Sequence, residues 1–203
     1  MSGSGDNMGG LVGKAINSNI THSAALGDVT STAGEYAGGL VGRFIANAAG
    51  TRIYTSYALG AVKAGNYAGG LLGIIKANGF SVTISNSYSQ STTEASDYAA
   101  GLVAVVAVDT GTITVQNSYA SGAPTATTNA GGLFAIDNGN PNFTASSVIT
   151  TYTTEAVGNV TYGILVTDLS TAANNAGWLA SIWDKLDISN TLPTIKTTHT
   201  AGA

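Results

Sequence analysis

Apolar residues in this chain fall into two kinds of block. One is nearly continuous and bounded by glycines, as in Leu71-Leu72-Gly73-Ile74-Ile75. The other alternates: Ile84, Asn86 and Tyr88 fall on one face of an extended chain, and Ser85, Ser87 and Ser89 on the other. Period-two alternation predicts a strand, and a short apolar run between glycines predicts a buried strand rather than a helix. Turn clusters separate the blocks: Ala77-Asn78-Gly79, Ser91-Thr92-Thr93-Glu94, Asp109-Thr110-Gly111 and Asp137-Asn138-Gly139-Asn140-Pro141. Their Gly, Asn and Asp residues tolerate the left-handed backbone of tight corners.

The blocks repeat. Ala68-Gly69-Gly70-Leu71-Leu72-Gly73 has near-copies at Gly9-Gly10-Leu11-Val12-Gly13, Ala37-Gly38-Gly39-Leu40-Val41-Gly42, Ala99-Ala100-Gly101-Leu102-Val103 and Ala130-Gly131-Gly132-Leu133-Phe134. A worn copy stands at Tyr162-Gly163-Ile164-Leu165. The marker residue falls at 11, 40, 71, 102, 133 and 164, so the steps are 29, 31, 31, 31 and 31. A fixed period of this size is the signature of stacked repeats. Aligned on the marker, Tyr57, Tyr88 and Tyr119 form a second column, and Tyr36, Tyr67 and Tyr98 a third. The second column is absent from the first repeat and displaced by two residues in the fifth, at Tyr152.

One repeat holds at least two strands and two corners and cannot bury its own apolar face; stacking equivalent strands in parallel, about 4.8 Å apart, buries it. The expectation is an all-β parallel β-helix, a β-solenoid of five to six coils with about 31 residues per coil. Leu40, Leu71, Leu102 and Leu133 would lie over one another inside. Tyr57, Tyr88 and Tyr119 would form an aromatic ladder. Asn86 over Asn117, with Thr55 below, would form an amide and hydroxyl ladder between coils. After Leu165 the pattern changes: Trp178, Leu179, Ile182, Trp183 and Leu186 recur at the spacing of one helical stripe. This predicts a short C-terminal helical cap plugging the raw strand edges of the solenoid end. The chain then divides into a flexible N-terminal linker (1–8), repeats (9–166), and a cap and tail (167–203).

Composition sharpens the picture. Hydrophobic residues make up 44% and charged residues only 9% of the 203, the latter far below the roughly 25% of an ordinary domain. That suits tightly turning strands with short uncharged outer side chains, and is not the recipe for disorder. The net charge of −4, with two arginines and five lysines, argues against a nucleic-acid partner. There is no cysteine, hence no disulfide framework or thiolate metal site. Apolar runs such as Gly101–Val108 are too short to span a bilayer, so no membrane insertion is expected of this segment.

Blocks of the form Ala-Gly-Gly-Leu-Val-Gly followed by Ile-Ser-Asn-Ser-Tyr-Ser, with the tail Gly177-Trp178, Trp183 and Leu192-Pro193, resemble the GLUG-motif repeats of bacterial surface adhesins, among them filamentous haemagglutinin-like proteins and the non-catalytic part of immunoglobulin A peptidases. The resemblance covers about residues 9–195. It implies a β-solenoid and an extracellular, cell-surface location. It carries over no binding residues.

Candidate catalytic chemistry is thin. The only histidines, His22 and His199, lack the His-Glu-x-x-His context of a zinc peptidase, so no cofactor or metal is expected. Glu35 and Asp97 share a corner column with Asn66 and Thr128, but two coils separate them, near 10 Å by strand spacing, too far for paired catalytic carboxylates. Ser87 and Ser118 have no neighbouring base, and their repetition argues for structure. Thr83 and Thr114 align, but Arg52 breaks any regular threonine array. Tyr36, Tyr67 and Tyr98 are the possible ligand face: turned out, they would stack on sugar rings; turned in, they are core, the preferred reading. The expectation is a non-enzymatic extracellular segment, an adhesin-like stalk or binding module for a host-surface or matrix ligand, protein or glycan. The alternative is a subunit that assembles with copies of itself end to end into a filament. A carbohydrate-active enzyme on the same scaffold is the remote reading.

Overall fold

The structure, a computed structural model, describes residues 1–136, 148–149, 152–153, 164–165, 178–179, 181–184 and 192–195. Its body is a β-solenoid. Five parallel sheets run along its length, and each passage of the chain adds one short strand to each sheet in turn. Sheet I holds Ser2–Gly3, Val29–Ser31, Val62–Ala64, Thr93–Ala95 and Pro124–Ala126; sheet II holds Asn7–Gly9, Tyr36–Gly38, Tyr67–Gly69, Tyr98–Ala100 and Asn129–Gly131. Sheet III holds Val12–Ile16, Val41–Ala46, Leu72–Asn78, Val103–Thr110 and Phe134–Ile136; sheet IV holds Asn19–Thr21, Arg52–Tyr54, Val82–Ser85, Ile113–Gln116 and Val148–Ile149. Sheet V holds Ala24–Ala25, Tyr57–Ala58, Tyr88–Ser89, Tyr119–Ala120, Tyr152–Thr153 and Ile164–Leu165. The described chain makes about four complete turns of ~31 residues.

The marker column is the core. Leu40, Leu71, Leu102 and Leu133 are at most 1% exposed and share one cluster with Phe44, Ile75, Ile53 and Ile84. A second, narrower interior lies between sheets I and II, filled by Val29, Val62, Ala37, Ala68 and Ala99. The glycine in front of each marker answers to crowding. A Cβ on Gly70 would sit 2.1 Å from the Gly101 carbonyl oxygen and 2.2 Å from Ser89 Oγ, so successive coils approach too closely for any side chain there. Register continues where the third glycine is lost: Leu72 pairs with Val103 and Val103 with Phe134.

Corners between sheets IV and V are built by a repeated device. His22, Thr55, Asn86 and Asn117 all take φ of 48–50°, the left-handed region that Asn tolerates best among residues with a side chain. The Asn column is thus set first by backbone conformation. The expected hydroxyl contact does not form, because Thr55 Oγ1 is buried without a partner. The serine that follows locks each corner. Ser87 Oγ donates to the Ser85 carbonyl at 2.9 Å and accepts the Ser56 amide at 3.2 Å. Ser118 repeats both bonds one coil on, to Gln116 and from Ser87, and Ser56 does so one coil back, to Tyr54 and from Ser23. One hydroxyl closes a turn and ties two coils, which accounts for the repeated Asn-Ser-Tyr.

Three expectations are corrected. The first eight residues are not a free linker: Ser2–Gly3 pairs with Thr30–Ser31, and Asn7–Gly9 with Tyr36–Gly38. Ile164 does not occupy the marker column. It pairs with Tyr152 in sheet V only twelve residues further along the chain, too few to complete a coil. No helix occurs among the described residues of the tail. Ile182 and Trp183 donate to the Leu179 carbonyl in a turn, and Trp183–Asp184 then pairs antiparallel with Thr194–Ile195. A tight turn brings Trp178 and Trp183 to a centroid distance of 4.5 Å, so it satisfies the same apolar spacing as a helical stripe. Leu186 lies outside the described residues.

Candidate functional site

Two tyrosine ladders climb the outside of the solenoid, and each is set by register. Tyr57, Tyr88, Tyr119 and Tyr152 are successive partners in sheet V; the two-residue displacement in the last coil is absorbed before Tyr152. The rings of Tyr57, Tyr88 and Tyr119 stack at 4.8 Å with interplanar angles of 0° and 4°. This ladder is separate from the leucine core and is covered by the tail. Trp178, Trp183 and Tyr152 pack with Tyr88 and Tyr119, and Ile182, Leu192 and Ile195 adjoin them. The Tyr119 hydroxyl donates to the Pro193 carbonyl at 2.6 Å and accepts from Gln90 Nε2 at 2.7 Å; Trp183 Nε1 reaches Asn86 Oδ1 at 3.4 Å. The described tail thus lies along the flank. Burial pushes the Tyr88 phenol well above its ordinary range, with Tyr57 adding to the effect, and burial does the same to Tyr119 against the opposing hydrogen bond from Gln90.

The other ladder is open. Tyr36, Tyr67 and Tyr98 are partners in sheet II, with ring centroids 5.1 and 5.4 Å apart and interplanar angles of 16° and 9°. All three are half-buried on the outer surface, which overturns the preferred core reading. The reason is room: their strands turn Ala37, Ala68 and Ala99 inward, into an interior of alanine and valine that has no space for a phenol ring. Tyr36 and Tyr67 lean on Ile74, Ala104 and Val105 of sheet III, a buried cluster separate from the leucine core. The hydroxyls of the three tyrosines make no hydrogen bond among the described residues. Because the rings cover one another's faces, the ladder offers a row of edges and hydroxyls rather than platforms for stacking.

Glu35, Asn66 and Asp97 border this ladder at the corner before each tyrosine. Desolvation raises the phenol pKa values of Tyr36 and Tyr67; nearby Glu35 and Tyr67 act in the same direction on Tyr36, while Arg43 opposes, and for Tyr67 the further causes are Tyr98, Asp97 and Glu35. Arg43 lies on the other side, its Cζ 6.0 Å from the Tyr36 ring centroid. No group of three or more His, Asp or Glu residues among the described residues could hold a metal. His22 is exposed and meets Tyr54 edge-on at 5.8 Å; His199 lies outside the described residues. Sequence reasoning missed the flank role of the tail and the pairing of Arg43 with Tyr36. The register that aligns Lys14 with Arg43 was visible in the repeat and could have pointed to the latter.

Comparison of the chain with protein-family models, with curated proteins and with solved structures returned no match.

Proposed function

We propose that this chain is a non-enzymatic segment of an extracellular surface protein, a solenoid stalk that binds a matrix or host-surface glycan along one flank. The observation that carries the reading is the open ladder: three stacked, half-buried tyrosines whose hydroxyls have no partner among the described residues, backed by buried Ile74 and Val105. Aromatic edges with hydroxyls and neighbouring carboxylates suit the mixed apolar and hydroxyl surface of an extended saccharide. The resemblance to GLUG-motif adhesin repeats supports the same location and class. A glycan array tests it: binding retained by the unaltered chain and lost in Tyr67→Ala and Tyr98→Ala, at unchanged melting temperature, supports the reading. Equal binding by all three, or none by the unaltered chain, removes it.

A second reading, end-to-end assembly, rests on the first coil. Leu11 of the marker column is 47% exposed, and Asn7–Gly9, Val12–Ile16 and Asn19–Thr21 are the terminal strands of their sheets, whose edges pair equally with a preceding coil or with another copy. Filaments in electron micrographs support it; a monomer at every concentration in sedimentation velocity excludes it.

A further inference from the structure

Lys14 and Arg43 are the anomaly on this surface. The other two exterior lysines with a described carboxylate in reach pair across coils: Lys63 Nζ lies 2.6 Å from Glu94 Oε2, and Lys76 Nζ 3.2 Å from Asp109 Oδ2. Lys14 and Arg43, by contrast, are direct register partners on adjacent strands of sheet III, and neither has a carboxylate within ion-pair distance. Like charges directly opposite each other destabilise a sheet. They stand unpaired on a chain with eleven acidic and seven basic residues. The next residue in the column is Ile74, so the charge is confined to the first two coils.

The surroundings are also left unsatisfied. Arg43 Nε is buried with no acceptor, and Asn7 Oδ1, on the register partner of Tyr36, is buried with no donor. Both atoms are closed off from solvent, so neither is itself a contact for a ligand. Arg43 is half-buried with Tyr36 beneath its guanidinium, which leaves its terminal nitrogens as the remaining donors. A guanidinium fork matches the two oxygens of a carboxylate, and a lysine beside it adds a point charge. Glu35, next to Tyr36, and Asp6, whose carbonyl accepts the Tyr36 amide, are acids near this place, and neither is within ion-pair distance of Lys14 or Arg43.

We propose that Lys14, Arg43 and Tyr36 form a subsite for the carboxylate of an acidic saccharide, at the end of the open ladder. The inference rests on the ladder reading and deepens it. The carboxylate anchors one sugar at Lys14 and Arg43, and the neighbouring units lie along Tyr67 and Tyr98.

Isothermal titration calorimetry of the full chain with oligogalacturonate, neutral cellohexaose and a sulfated oligosaccharide tests the assignment. Oligogalacturonate binds most tightly, its affinity falls with added salt, and Arg43→Gln and Lys14→Gln each lower it at least tenfold. Neither substitution lowers the melting temperature, because each relieves repulsion between like charges. Tighter binding of the sulfated ligand, or of the neutral one, overturns the carboxylate subsite, as does oligogalacturonate affinity indifferent to both substitutions. If binding depends on Arg43 but not on Tyr67 or Tyr98, the subsite stands and the ladder reading falls. If it depends on the tyrosines alone, the ladder stands and the subsite falls. If no saccharide binds, both fall.

Discussion

The two tyrosine ladders are built alike and used differently. Both stack at the spacing of successive coils, 4.8 Å in sheet V and 5.1–5.4 Å in sheet II. Both stand outside the leucine core. One is roofed by two tryptophans and a proline carbonyl; the other keeps its edges in solvent with its hydroxyls unpaired. Stacking follows from repetition alone, since any residue placed once per coil meets its copy. What a ladder is for depends on what lies over it.

The largest effect that would test this contrast is removal of the roof. Trp183 is 1% exposed against Tyr88 and Tyr119. Trp183→Ala is expected to cost about 3–5 kcal/mol in denaturant unfolding, and to release the described tail without unstacking the leucine column. An unchanged midpoint would show that the roof does not hold the flank.

Next comes pH. Tyr88 and Tyr119 have phenol pKa values raised by burial in the fold, above the unfolded value near 10. The neutral form is the one the fold favours. The stability it contributes is fully present below about pH 10 and is lost as pH rises through the folded values. Absorbance of tyrosinate during alkaline titration checks this. A late phase should coincide with unfolding. Simultaneous ionisation of every tyrosine would contradict the covered ladder.

Smaller again is Tyr119→Phe. It deletes the hydroxyl between Gln90 and the Pro193 carbonyl and leaves that carbonyl without its donor, at about 1–2 kcal/mol. Tyr98→Phe removes a hydroxyl with no protein partner, so its expected cost is within about 0.5 kcal/mol. Equal losses from the two Phe variants would erase the distinction between the ladders.

The period made the solenoid and its columns legible, because a strand pattern that repeats every 31 residues has to stack to be buried. Which side a column faces was less legible. Tyr36-Ala37-Gly38 is a three-residue strand, too short for alternation to show a face, and the narrow alanine and valine interior decided the matter. The tail misled because Trp178, Ile182 and Trp183 fit a helical stripe, and a tight turn followed by a strand satisfies the same spacing. The Ile164 copy preserved the motif but not the place, since pairing with Tyr152 in sheet V won over completing a coil. The opposition of Lys14 and Arg43 was legible but passed over: the step from Leu11 to Leu40 already aligns the two residues, and charge opposition emerges only when columns are compared between coils.

The flank position of the tail has a mechanical consequence. Hydrogen bonds between coils point along the long axis, so tension applied end to end loads them lengthwise, one coil after another in series. The tail lies across the tyrosines of several coils at once, and the same tension meets it as shear on many contacts in parallel. It acts as a strap over that part of the stack, and under load the coil beyond its reach, the one carrying Leu11 and Ile20, is the first to part.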